Sequence, residues 1–111
     1  GEYGETQYQL ACQATSYPWS QHIDCKSPDA YTITIDRNGY ITSIWERPND
    51  SGNFDEGGYA SNIKINGQDS SGYPLTDKNA IYNITWTTDV GYDMQHTGTI
   101  KLSTAIVVNM S

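Results

Sequence analysis

The chain has little positive charge, almost no phenylalanine and no long apolar run. Only six of its 111 residues are Lys or Arg, against 13 Asp plus Glu, for a formal net charge of -7. The six cations, Lys26, Arg37, Arg47, Lys64, Lys78 and Lys101, are scattered and form no stripe. That excludes a polyphosphate track, so no nucleic-acid partner is expected, and it opposes docking on an anionic membrane. No apolar run approaches the length of a transmembrane helix, so membrane insertion is not expected either. The first residue is Gly1 rather than Met and no leader pattern follows, which reads as a mature or excised chain. Helical periodicity is nearly absent. At this length the expectation is one domain over residues 1–111, with a core large enough to stand alone but not by a wide margin.

Threonine, serine, asparagine, glycine and tyrosine fill the composition, a mix suited to half-buried strands joined by turns. "QYQLACQAT" sets Tyr8, Leu10 and Cys12 on one face. "AYTITID" sets Tyr31, Ile33 and Ile35 on one face. "YITSIWE" follows after Arg37-Asn38-Gly39, and Asn-Gly is the strongest short hairpin signal, so residues 30–46 are expected to form a β-hairpin. "YASNIKING" aligns Tyr59, Ile63 and Ile65, with Ala60 out of register. "AIYNITWTT" aligns Tyr82, Ile84 and Trp86. "TIKLSTAIVVNM" aligns Ile100, Leu102, Ile106, Val108 and Met110, and reads as one long C-terminal strand across a core. Turn clusters such as "SYPWSQ", "NGQDSSGYP" and "TDVGYD" separate these runs. Strands at this spacing without helices imply an all-β fold, a seven-stranded immunoglobulin-like antiparallel sandwich, with a small barrel as the alternative.

The two cysteines, Cys12 and Cys25, are an even count with a short loop between them. The expectation is a disulfide, the alternative being two buried thiols. Closing a loop of this size contributes roughly 3 kcal/mol. A disulfide in turn points to a secreted, cell-surface or periplasmic setting.

Chemistry is harder to place. "HID" puts Asp24 two residues after His22, and Ser20 is near, but no nucleophile elbow or oxyanion-hole motif accompanies them. Thirteen acids leave a carboxylate pair countable, yet a chain this short has little material for both a core and an enclosing cleft. No catalytic residue is expected, and neither is a cofactor. "NDSGNFDEGGY", Asn49 to Tyr59, places oxygen-bearing side chains at alternating positions in the manner of a calcium loop. It starts on Asn, its glycine is displaced and the distal Glu is missing, so no metal is expected there. Recognition is the better reading. Trp19 lies in a turn cluster and Phe54 in the middle of the acidic loop beside Asp55. Four Gly-Tyr pairs put Tyr40, Tyr59, Tyr73 and Tyr92 at strand starts. Tyrosine supplies contact area at low entropy cost and carries a hydroxyl. The candidate ligand-binding residues are Trp19, Phe54, Asp55, Tyr59, Tyr73 and Tyr92. Trp45 and Trp86, at strand positions, are assigned to the core.

The alternating C-terminal run resembles the last strand of bacterial chaperone–usher pilus subunits over the final fifth of the chain. The opening "GEYGETQYQ" departs from that pattern, because it is polar and lacks an alternating apolar arm to donate. The cysteine spacing is also shorter than in that family. The expectation from the residues is therefore a secreted or cell-surface, non-catalytic binding module, adhesin-like or toxin-associated, that recognises a carbohydrate or a protein through its loops. The alternative is a periplasmic or secreted inhibitor or immunity protein that neutralises an enzyme with its acidic loop. Exposed rings beside Asp, Asn or Gln groups in a concave site would favour sugar.

Overall fold

The computed structural model describes residues 4–23, 25–48 and 57–110, with backbone only at 20–23. Eleven strands are present among them: β1 (Thr6–Gln9), β2 (Cys12–Tyr17), β3 (Ser20–Ile23), β4 (Tyr31–Ile35), β5 (Ile41–Glu46), β6 (Gly58–Tyr59), β7 (Ser61–Ile65), β8 (Gln68–Asp69), β9 (Tyr82–Asp89), β10 (Asp93–Ile100) and β11 (Val107–Met110). They form the two antiparallel sheets of a small β-sandwich. One sheet has the order β11-β1-β4-β5-β6 and the other β3-β2-β10-β9-β7-β8. The strands are more numerous and shorter than the expected seven.

Two causes account for the difference: β3 and β8 start in or lie within segments that read as turn clusters, and elsewhere the chain changes sheet where a continuous strand was expected. "QYQLACQAT" splits into β1 in the five-stranded sheet and β2 in the six-stranded one. Leu10 sits at the crossing and is fully buried, its amide donating to the Tyr31 carbonyl at 2.9 Å. "YASNIKING" splits likewise at Ala60 into β6 and β7. The C-terminal run also splits. β10 ends at Ile100, and a turn follows in which Thr104 and Ala105 both donate to the Lys101 carbonyl, at 3.0 and 2.9 Å. β11 then joins the other sheet as its edge.

The expected hairpin forms from β4 and β5, with Ile33 opposite Ile44 and Thr32 opposite Trp45. Its turn is longer than the two-residue Asn38-Gly39 expected. The Asp36 amide donates to Tyr40 O, and the Asp36 carboxylate accepts from the Asn38 and Tyr40 amides. Only Gly39 takes positive φ, +94°, the pattern of a three-residue loop with a glycine bulge. A two-residue Asn-Gly turn does form, but at Asn66-Gly67, where both φ angles are positive and Ile65 pairs with Gln68. That site lay inside what reads in sequence as a plain turn cluster.

The core is Leu10, Tyr31, Ile33, Ile35, Ile44, Ile65, Leu75, Tyr82, Ile84, Trp86 and Ile100, with Ala30. It draws on both sheets, as a sandwich requires. The Cys12–Cys25 disulfide is formed, with Cα atoms 5.8 Å apart. It ties β2 to the segment after β3, so it joins chain neighbours rather than the two sheets.

Candidate functional site

Strand alternation decides which residues of β5 face out. Ile44 is fully buried, so its neighbour Trp45 must take the opposite face. Trp45 is accordingly half-exposed on the outer surface of the five-stranded sheet, which corrects its assignment to the core. It pairs across the ladder with Thr32 on one side and with Tyr59 on the other. Tyr59 is 75% exposed. Gln7 pairs with Thr34, and Thr34 with Ser43. These six residues line one trough of about 250 Å³. Its floor is hydroxyl and amide, its walls are a tryptophan and a tyrosine, and among the described residues no charged side chain lines it. In a chain of net charge -7 an uncharged concave surface is selective: it offers stacking area and neutral hydrogen-bonding groups only.

A second aromatic group lies where the β2–β3 and β9–β10 turns meet. The Trp19 ring lies 5.0 Å from that of Tyr17 and 4.6 Å from that of Tyr92, and Tyr17 to Tyr92 is 5.5 Å. Trp19 remains 67% exposed. The two expected residues Trp19 and Tyr92 are thus brought together, and Tyr17 joins them. The cue for Tyr17 was its place in "SYPWSQ", two residues before Trp19 and therefore across the same tight turn. Tyr73 goes elsewhere. It packs edge-on against the core residue Tyr82, at 6.2 Å, and its hydroxyl accepts from Asn66 Nδ2 at 2.9 Å. Phe54 and Asp55, with the rest of the acidic loop 49–56, lie outside the described residues, as does Asp24; of Ser20 and His22 only the backbone is described. Among the described residues no three of His, Cys, Asp and Glu gather as metal ligands would.

The interior holds a polar cluster that sequence reasoning missed. His96 on β10 and Glu46 on β5 are 1% and 0% exposed. His96 Nε2 lies 3.7 Å from Glu46 Oε2, and Glu46 Oε1 lies 3.7 Å from Lys26 Nζ. Thr15 Oγ1 shares a 2.8 Å hydrogen bond with His96 Nδ1, and Thr88 Oγ1 another with Nε2. The imidazole also stacks on Trp86, with centroids 5.6 Å apart and planes 27° from parallel. Glu46 comes from one sheet and His96 from the other, so the cluster clamps the sheets together. At the surface nearby, Arg47 donates to Asp29 Oδ1 and Ser27 Oγ donates to the same oxygen. These bonds, with the Arg47 charge, hold the Asp29 carboxyl below the usual carboxylate range.

No known family model, curated protein or solved structure matches the chain.

Proposed function

We propose that the protein is a non-catalytic recognition module that binds a neutral glycan on the outer face of its five-stranded sheet. The observation that carries the reading is the trough itself: Trp45 and Tyr59 beside Gln7, Thr32, Thr34 and Ser43, with no charge among them. A sugar ring has an apolar C–H face and a rim of hydroxyls. The two aromatic rings match the first, and the threonine, serine and glutamine groups match the second. The trough belongs to a rigid ladder rather than to loops, so little ordering cost falls on binding. The Cys12–Cys25 disulfide supports placing such a module outside the cytosol, secreted or at a cell surface.

Glycan-array binding, repeated with Trp45→Ala and Tyr59→Ala, tests this. Each replacement is expected to weaken the best-bound saccharide by about tenfold, ~1.4 kcal/mol, with an unchanged melting curve. A protein that retains no saccharide, or variants that bind as wild type does, would overturn the assignment. A protein partner is the second reading, favoured by the exposed Trp19 held between Tyr17 and Tyr92. In that case Trp19→Ala, and not Trp45→Ala, abolishes binding.

A further inference from the structure

Three of the chain's six cations have a carboxylate beside them. Lys26 lies 3.7 Å from Glu46 and Arg47 3.1 Å from Asp29. The Asp69 carboxyl, held low first by the Ser71 amide, is lowered further by the Lys64 charge. Arg37 and Lys78 differ: among the described residues neither makes an ion pair or a side-chain hydrogen bond. Both line one cavity of about 310 Å³, where the β4–β5 turn meets the segment 75–78. The walls of that cavity are fixed by backbone. The Leu75 amide donates to the Gly39 carbonyl at 2.8 Å, and a Cβ added at Gly39 would stand only 3.1 Å from Leu75 N. Gly4, at φ +81°, runs against the Arg37 stem, where an added Cβ would meet Arg37 Cβ at 3.1 Å and Cδ at 3.5 Å. The Lys78 carbonyl accepts from the Ser103 amide at 2.8 Å, which ties its turn to the chain after β10.

We propose that this cavity binds an acidic monosaccharide unit, of the uronic-acid kind, through its carboxylate. An arginine fork donates two parallel hydrogen bonds to a carboxylate, and a lysine adds a point charge. Asp36 also faces the cavity, but its Oδ1 accepts from the Asn38 and Tyr40 amides. The described lining therefore sets two cations against one carboxylate, the reverse of the balance in a chain of net charge -7. A single negative charge on the ligand suits that balance, whereas a polyphosphate brings more charge than two cations neutralise. Thr6, Tyr8 and Thr76 are hydroxyl-bearing, and Ile35, Leu75 and Leu102 are apolar. A sugar ring offers partners for both kinds, in its hydroxyl rim and its C–H face. The volume is at the small end for ligand cavities, which suits one ring rather than several. The site is separate from the neutral trough. Thr6 and Tyr8 line the cavity and Gln7 between them lines the trough, so the two open on opposite faces of β1.

Amide chemical-shift titration with glucuronate, and with glucose and inorganic phosphate as comparisons, tests the proposal. The expected result is saturable shifts at residues 36–39 and 75–78 with glucuronate, weakened by added salt, and none there with glucose. Arg37→Gln and Lys78→Gln, both at exposed positions, should keep the wild-type melting curve and each weaken glucuronate by about tenfold. Trp45→Ala should bind glucuronate as wild type does. Absence of shifts at these residues, or equal shifts with glucose, would overturn the proposal. So would shifts with phosphate and none with glucuronate, which would mark a bare anion site. Folded Arg37 and Lys78 variants that bind as wild type would do the same, as would loss of binding in Trp45→Ala, which would move the contact to the trough. Where a variant fails to fold, the wild-type contrast between glucuronate and glucose still decides.

Discussion

At the residue scale, the telling pair is Trp45 and Glu46. Hydrophobicity alone puts the tryptophan inside and the glutamate outside. The structure does the reverse, because strand alternation obliges Glu46 to share the face of Ile44. A buried carboxylate needs compensation, and Lys26 and His96 stand 3.7 Å from its two oxygens. His96 in turn spans Thr15 and Thr88. Removing the imidazole leaves two hydroxyls and a carboxylate facing a void. His96→Ala is therefore expected to cost roughly 3–5 kcal/mol, read as a drop in the urea midpoint. A loss under about 1 kcal/mol would show that the cluster does not hold the sheets. The signal for Trp45 was present in the sequence: Ile44 and Trp45 are adjacent and cannot both face one core. The same alternation set Glu46 on the inward face; what the sequence did not show was its partners, which come from β10 and from the segment after β3.

At the element scale, the C-terminal run separates two kinds of apolar strand residue. Ile100 at the end of β10 is 4% exposed and belongs to the core, and Leu102 packs partly against it. Ile106 and Val108, expected inside, are exposed. Ile100→Ala should cost roughly 2–4 kcal/mol. Val108→Ala, measured in dilute solution, should fall within about 0.5 kcal/mol of wild type. Chemical denaturation of the two variants checks the contrast, and equal costs would contradict the crossing at Lys101–Ala105. Period-two alternation shows that these residues are extended. It does not show which sheet they join or whether a neighbour covers them, because both depend on contacts far away in sequence.

For the whole molecule, acidity sets the response to pH. The net charge of -7 shrinks as the solution approaches the pI near 4.4, which relieves self-repulsion. Specific carboxylates act in the opposite sense. Asp29 is held below its ordinary value of 3.8 by its bonds from Arg47 and Ser27, and Asp69 by the bond from the Ser71 amide. A depressed folded-state value means that each group stabilises the fold above about pH 4 and loses that contribution as pH falls through the folded value. Both are surface groups, so the effect is small. Asp29→Asn should melt slightly below wild type at pH 7, and the gap should close in strong acid. Thermal melts of the two proteins across pH read this directly, and a gap that persists unchanged at the lowest pH would contradict it.

Local chemistry alone accounts for the all-β class, the hairpin of β4 and β5, the burial of Tyr82, Ile84 and Trp86, and the Cys12–Cys25 bond. Each follows from side-chain alternation, a turn glycine or a short loop closure, all of which act between near neighbours. The tertiary fold was needed for the rest. It chose three sheet changes in place of long strands, turned Trp45 and Tyr59 onto one outer trough, gathered Tyr17, Trp19 and Tyr92, and left β11 at the edge of its sheet. Those outcomes depend on which strands lie side by side, and strand order is settled by the packing of one sheet on the other rather than by any residue's own preference.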